Sequence, residues 1–145
     1  MGVMGGSYGG FATVRVTASD QRYRSAVADR GLSAWNSFVG TSDIGTYFDG
    51  MYVRRNATPD ELWQASPLRH ADRNTTPTLV LHSESDFRCP IEQGEQLFRV
   101  LQSNGVPSEM LRFPGEGHEL SRAGKPKHRV ERFDAILEWH GRYLK

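Results

Sequence analysis

A chain of 145 residues and 16.3 kDa has room for one compact domain with its own core, and needs no disulfide or metal staple. Its 18 Lys plus Arg against 17 Asp plus Glu give a formal charge of +1, which leaves no electrostatic footprint for nucleic acid or an anionic membrane. The single cysteine, Cys89, excludes an internal disulfide framework and a cysteine-only metal site. No apolar run approaches the ~18 residues of a membrane span. The start, MGVMGGSYGGF, lacks the basic and apolar regions of a secretory signal. These features predict a soluble, cytoplasmic protein.

Along the chain, short strands alternate with helices. Gly2-Val3-Met4 is a brief apolar run that stops at Gly5-Gly6-Ser7-Tyr8-Gly9-Gly10. A helix is predicted from Phe11 to about Ala18, with Phe11, Val14 and Ala18 on one face, and a buried strand over Ser25–Ala28. The aromatic and Gly-rich stretch from Leu32 to Arg73 reads as short helices and loops. Thr78–His82 is the clearest strand, launched by Pro77 and closed by Ser83-Glu84-Ser85-Asp86. Pro90 opens a helix to about Ser103 with a stripe of Leu97, Phe98 and Leu101, and Asn104-Gly105 stops it. Glu109–Phe113 alternates as a strand, and the loop Pro114-Gly115-Glu116-Gly117-His118 follows. The last helix is expected from about Lys127 to Leu144, with Val130, Phe133, Leu137 and Leu144 as its apolar side. Strands alternating with helices imply a mostly parallel sheet of about four strands flanked by helices, an α/β domain.

Gly5-Gly6-Ser7-Tyr8-Gly9 fits G-x-S-x-G between a strand and a helix, the context of a nucleophile elbow. The glycines permit a strained turn that lifts the serine hydroxyl above the sheet. The following helix aims its N-terminal N–H groups at the same spot. Serine needs a base to take its proton, and the base needs an orienting carboxylate. Asp86 follows the strong strand and His118 follows the next, so Ser, Asp and His stand in α/β-hydrolase order, each at a strand's carboxyl end. Glu84 and Glu116 are alternative acids. His70, His82, His128 and His140 show no metal-ligand spacing and read as solvated or packed residues. Cys89, ahead of Pro90 at a helix start, could have a lowered pKa or a plain structural role. Lys125, Lys127, His128 and Arg129 read as a solvated helix start.

GGSYGG at 5–10, SPL at 66–68, TPTLVLHSESDFRCPIEQGEQLF at 76–98 and LRFPGEGHELSRAGKP at 111–126 together resemble the catalytic domain of the prolyl oligopeptidase family, in its acylaminoacyl-peptidase branch. The resemblance implies a truncated α/β-hydrolase fold over residues 1–145, lacking the family's β-propeller and the first half of the hydrolase domain. It implies Ser7 as nucleophile, Asp86 as orienting acid, His118 as general base and the Tyr8 N–H as one oxyanion donor. Leu32 and Trp35 fall where that family lines its specificity pocket, or serve ordinary core packing. Ser83 stands where many relatives carry Gly. No cofactor or metal is implied. The expected activity is hydrolysis of small acyl esters through an acyl-enzyme, with residual action on acylated amino acids or peptides. The alternative is an inactive fragment that only folds or associates, or that needs the missing half-domain. The strand at Gly2–Met4 would then be an open sheet edge, and a homo-oligomer, a dimer through that edge, is expected.

Overall fold

The structure, a computed structural model, describes residues 1–145. Four strands, β1 (Gly2–Gly6), β2 (Ser25–Asp29), β3 (Thr78–Ser83) and β4 (Ser108–Phe113), form one parallel sheet in the order β1-β2-β3-β4. The crossovers carry helix α1 (Tyr8–Ser19) between β1 and β2, and α5 (Glu92–Ser103) between β3 and β4. Between β2 and β3 run α2 (Trp35–Thr41), α3 (Gly45–Asp49), a π-helical turn (Gly50–Arg54), α4 (Pro59–Ala65) and a 3₁₀ segment (Pro67–Arg73). After β4 come the short α6 (Leu120–Ala123) and the long α7 (Pro126–Tyr143).

The central strands β2 and β3 are buried at every position, as strands covered on both faces must be. Their alternation divides the core in two. Val27, Leu79 and Leu81 point one way and pack with Phe113, Leu120, Ile136 and Trp139 beneath α7. Ala28 and Val80 point the other way, onto Val14 of α1 and Leu97 and Leu101 of α5. A third cluster, Leu32, Trp35, Phe38, Leu62 and Cys89, holds the segment between β2 and β3 against the end of the sheet. Thr58 and Glu61 cap α4 reciprocally, each side chain accepting the other residue's backbone N–H.

The sheet ladder runs on past the strand ends. Ser7 N donates to Asp29 O at 3.0 Å, Arg30 N to Leu81 O at 2.7 Å, and Glu84 N to Phe113 O at 3.1 Å. Each loop leaving a strand is therefore tied to the strand beside it. The turn from β1 into α1 is equally close: a Cβ on Gly5 would lie 2.4 Å from the Gly9 carbonyl oxygen, so only glycine fits.

Two expectations are corrected here. Helix α5 begins at Glu92, because Pro90 and Ile91 belong to the turn ahead of it. More substantially, Val130, Phe133 and Leu137 do not face the core. They are 59%, 58% and 68% exposed, while α7 buries Arg132, Ile136 and Trp139. The helix is apolar on two sides, and its inward side is set by Arg132 reaching Asp29 with Nε and Nη2 at 3.0 and 2.6 Å. No helix is long and apolar enough to cross a membrane.

Candidate active site

Ser7 sits at the turn between β1 and α1 with φ 60° and ψ −120°, a left-handed conformation that a non-glycine residue adopts only under constraint. The constraint is the pair of bonds from Ser7 N to Asp29 O and from Phe11 N to Ser7 O, at 3.0 and 3.1 Å. They leave the hydroxyl projecting at the carboxyl end of the sheet. Directly after it, the Tyr8 N–H opens α1 and meets no acceptor in the protein, as expected of a first-turn amide.

His118 and Asp86 complete a continuous chain of hydrogen bonds with Ser7. The Ser7 hydroxyl donates to His118 Nε2 at 2.9 Å, and His118 Nδ1 donates to Asp86 Oδ2 at 2.8 Å. The carboxylate accepts only, so it fixes the imidazole proton on Nδ1 and leaves the Nε2 lone pair for the hydroxyl. Asp86 Oδ1 takes the backbone N–H groups of Arg88 and Cys89 at 2.9 and 2.8 Å. The Asp86 side chain has no solvent exposure and that of His118 has 11%.

The loops that hold these groups are themselves anchored. Glu116 is 5% exposed. Burial raises its pKa, but His128 Nδ1 at 2.6 Å and the Lys125 N–H at 3.2 Å outweigh burial and hold the carboxylate below its usual range. Its backbone oxygen accepts from Ser85 N at 2.9 Å, joining the Asp86 and His118 loops. Glu116 thus pins a loop and makes no hydrogen bond to His118. Glu84, the other alternative acid, pairs with Arg112 on the surface. His82 is buried beneath Asp86 and donates Nε2–H to the Cys89 carbonyl at 2.7 Å. Burial pushes its pKa down, which keeps it neutral. His140 meets the Ser25 hydroxyl at 2.9 Å, and His70 lies against α1.

Cys89 lies beside Ser7 but is 4% exposed. Burial, reinforced by the Asp86 charge, pushes its thiol up to about 12. The activated-thiol alternative is therefore overturned: the dipole of a helix start acts weakly here against loss of hydration and a neighbouring carboxylate.

A cavity of about 100 Å³ opens next to Ser7, lined by Tyr8, Leu32, Phe38, Ile44, Phe48, Arg88 and Cys89. The structure brings Leu32 to this wall. Trp35 stands behind it, 1% exposed, with its ring 5.5 Å from Phe38 and 5.8 Å from Phe48. Gln93, which drew no attention in the sequence, shapes the wall by accepting the N–H groups of Ser33 and Ala34 with Oε1, both at 2.8 Å. A glutamine inside an amphipathic helix carries no sign that it will be wholly buried. Arg88, two residues past Asp86, also escaped notice; it lines the cavity and pairs with Asp43.

The sequence profile of the prolyl oligopeptidase family matches residues 1–145. The uncharacterized peptidase YuxL of Bacillus subtilis (strain 168) is 44% identical over 146 residues, which is 99% of this chain and 22% of that protein. The acylamino-acid-releasing enzyme of Arabidopsis thaliana is 33% identical over 153 residues, 99% of this chain and 20% of that protein. Among solved structures, Pyrococcus horikoshii acylaminoacyl peptidase superposes with a TM-score of 0.92 at 30% identity, over 99% of this chain and 24% of its own. The chain thus spans about a fifth of the curated relatives it matches. Its parallel sheet and flanking helices are those of the α/β hydrolases. On a match that runs from the first residue to the last, the chain belongs to the prolyl oligopeptidase family.

Proposed function

We propose that this chain is a serine hydrolase that cleaves acyl esters, with slower action on acylated amino acids and peptides. The observation that carries the reading is the unbroken bond chain from Ser7 through His118 to Asp86, at 2.9 and 2.8 Å, beside a free Tyr8 N–H. Ser7 Oγ attacks the acyl carbon as His118 Nε2 takes its proton, and Asp86 holds the imidazolium. The Tyr8 N–H faces the oxygen on which negative charge develops. His118 returns the proton to the leaving group, and water repeats the sequence to free the acid. The small cavity behind Ser7 receives the acyl group.

Removing one oxyanion donor costs about 100- to 1000-fold in rate where measured. The Tyr8 N–H is one such donor, and activated esters should outpace amides, whose leaving groups depart less readily. The Bacillus subtilis relative and the Pyrococcus horikoshii structure named above are called peptidases, which supports the peptide arm of the proposal. The test is hydrolysis of p-nitrophenyl butyrate by the intact chain and by Ser7→Ala. Turnover that vanishes in the variant is expected. Equal rates in the two, or none in either, would overturn the reading.

A second copy of the chain is proposed as a partner. β1 lies at the sheet edge with one neighbour, Met4 is 47% exposed, and α7 carries Val130, Phe133 and Leu137 outward. An unpaired strand and an apolar helix stripe favour association. Light scattering should give twice the 16.3 kDa of one chain; a monomer would refute this. The free Cys89 suits a reducing, cytoplasmic setting.

A further inference from the structure

The Ser7–His118 pair has a third neighbour that the reaction above does not use. Arg30 follows β2 and directs its guanidinium to His118: Nη1 lies 3.1 Å from Nε2, the nitrogen that also meets Ser7 Oγ. Nη2 donates to Ser121 Oγ at 3.2 Å, and Nε is buried without any partner. Gly6 makes room for it, since a Cβ there would lie 3.1 Å from Nη2.

The surrounding charges do not balance. The only carboxylate near the guanidinium is Asp29, whose Oδ2 is 3.9 Å from Arg30 Nε. That oxygen already accepts from Arg132 Nε and Nη2 at 3.0 and 2.6 Å. Two guanidiniums therefore share one carboxylate, and the Arg30 side chain is only 11% exposed. Asp86 lies across the imidazole ring, on Nδ1. A cation nine-tenths out of water, with free donors and only a shared carboxylate 3.9 Å away, is a site for an anion.

Its position says where on the substrate that anion sits. His118 Nε2 hands its proton to the leaving atom, which must come within about 3 Å of it. Arg30 Nη1 occupies the same radius around the same nitrogen, so the guanidinium borders the leaving group. The acyl side lies elsewhere, at the Tyr8 N–H and the cavity lined by Leu32 and Phe38. When the leaving group is a single amino acid, its carboxylate is two covalent bonds from the departing nitrogen. A longer peptide puts an uncharged amide there and moves its carboxylate out by ~3.5 Å per residue.

We propose that Arg30 determines specificity on the leaving-group side by pairing with the carboxylate of a C-terminal amino acid, so that the favoured peptide substrate is an acylated residue joined to one last free-acid residue. The inference rests on the serine-hydrolase reading for its sense but concerns binding. In the step it serves, the Ser7 Oγ–acyl bond forms and the acyl C–N bond breaks. The serine proton passes through His118 to the nitrogen, and the free amino acid leaves. Without such a ligand, Nη1 at 3.1 Å and the Ser7 hydroxyl at 2.9 Å share the one Nε2 lone pair. A carboxylate draws the guanidinium away and releases that lone pair to the hydroxyl.

The test reads binding without turnover, in a Ser7→Ala background. N-acetyl-Ala-Ala and its C-terminal amide are titrated by NMR. The free acid should bind at least about 10-fold more tightly. Adding Arg30→Gln should bring the two ligands within about 2-fold of each other, and Arg30→Lys should keep part of the preference as a point charge. Unchanged spectra away from β2 confirm that the variants fold. Equal affinity for acid and amide in the Arg30 protein, or a preference that survives Arg30→Gln, overturns the proposal. Failure of ester hydrolysis with the acid preference intact would refute the catalytic reading and leave this assignment standing.

Discussion

Replacing Asp86 with asparagine tests the reaction at its most specific point, because the structure dictates which way the new amide must face. Asp86 Oδ1 accepts two backbone N–H groups, from Arg88 and Cys89, so the amide oxygen of Asp86→Asn has to take that position. Its NH₂ then occupies the Oδ2 position, 2.8 Å from His118 Nδ1. Two donors cannot face each other, so Nδ1 gives up its hydrogen and Nε2 acquires it. An Nε2–H cannot accept the Ser7 proton. A wrong tautomer of this kind lowers kcat by about 10,000-fold in a triad of known mechanism, roughly 5.4 kcal/mol of transition-state stabilisation. The fold should tolerate the change, since the side chain keeps its shape and both backbone donors keep an acceptor. Asp86→Ala behaves differently: it orphans the Arg88 and Cys89 N–H groups, at about 1–3 kcal/mol each, yet leaves the imidazole free to choose its tautomer. The assay is p-nitrophenyl butyrate hydrolysis beside a urea unfolding curve. Asp86→Asn should fold like the parent and react far more slowly, whereas Asp86→Ala should lose stability. A rate for Asp86→Asn within 10-fold of the parent would refute the tautomer argument and the role assigned to Asp86.

Three further expectations concern the scaffold. Gly5→Ala places a Cβ 2.4 Å from the Gly9 carbonyl, backbone against backbone; it should cost about 1–3 kcal/mol in urea denaturation, and an unshifted midpoint would show that the elbow is looser than described. Arg132→Met leaves the buried Asp29 carboxylate with only the distant Arg30, so a loss of about 3–5 kcal/mol is expected; the double variant with Asp29→Asn should recover more than half, and strict additivity would refute the pairing. With its thiol raised to about 12, Cys89 at pH 8 holds about one thiolate in 10,000, so iodoacetamide should label the folded chain about 1,000-fold more slowly than the urea-unfolded chain. Because the unfolded thiol ionises first, the stability that Cys89 contributes is whole below about pH 9 and is lost as the pH climbs towards 12. Equal labelling rates would contradict the burial.

The fold was legible where local pattern and tertiary demand agreed. Val3-Met4 before a glycine turn, the Thr78–His82 run after Pro77, and the alternation of Glu109–Phe113 each carry their strand in their own residues. Residues at the carboxyl ends of parallel strands converge, so the G-x-S-x-G turn at Ser7 and the strand-end placement and order of Asp86 and His118 were enough to single them out in the sequence. The α7 face was misread for a reason that hydropathy cannot reveal. Arg132 is polar in the sequence and becomes an inward residue only because Asp29, 103 positions earlier, waits for it. Once Arg132 turns in, Ile136 and Trp139 follow and Val130, Phe133 and Leu137 are turned out. Arg30 was invisible for a related reason. Asp29-Arg30-Gly31 reads only as the end of a strand, yet Arg30 adopts a left-handed conformation, with φ 43°, and its guanidinium reaches His118.

The bonds that continue the ladder beyond the strands have a consequence for how the molecule fails under heat. Ser7 is tied to the end of β2, Arg30 to β3, and the loop carrying Asp86 to β4, so the positions of these side chains are inherited from strand register. A loop that could open alone would let activity fade while the core persisted. Here the backbone at Ser7 and the loop carrying Asp86 are each bonded to a neighbouring strand, the loop carrying His118 is bonded to Ser85 of the Asp86 loop, and β2 and β3 are buried at every position. Loss of the proposed activity on heating should then coincide with loss of the sheet, in one cooperative transition.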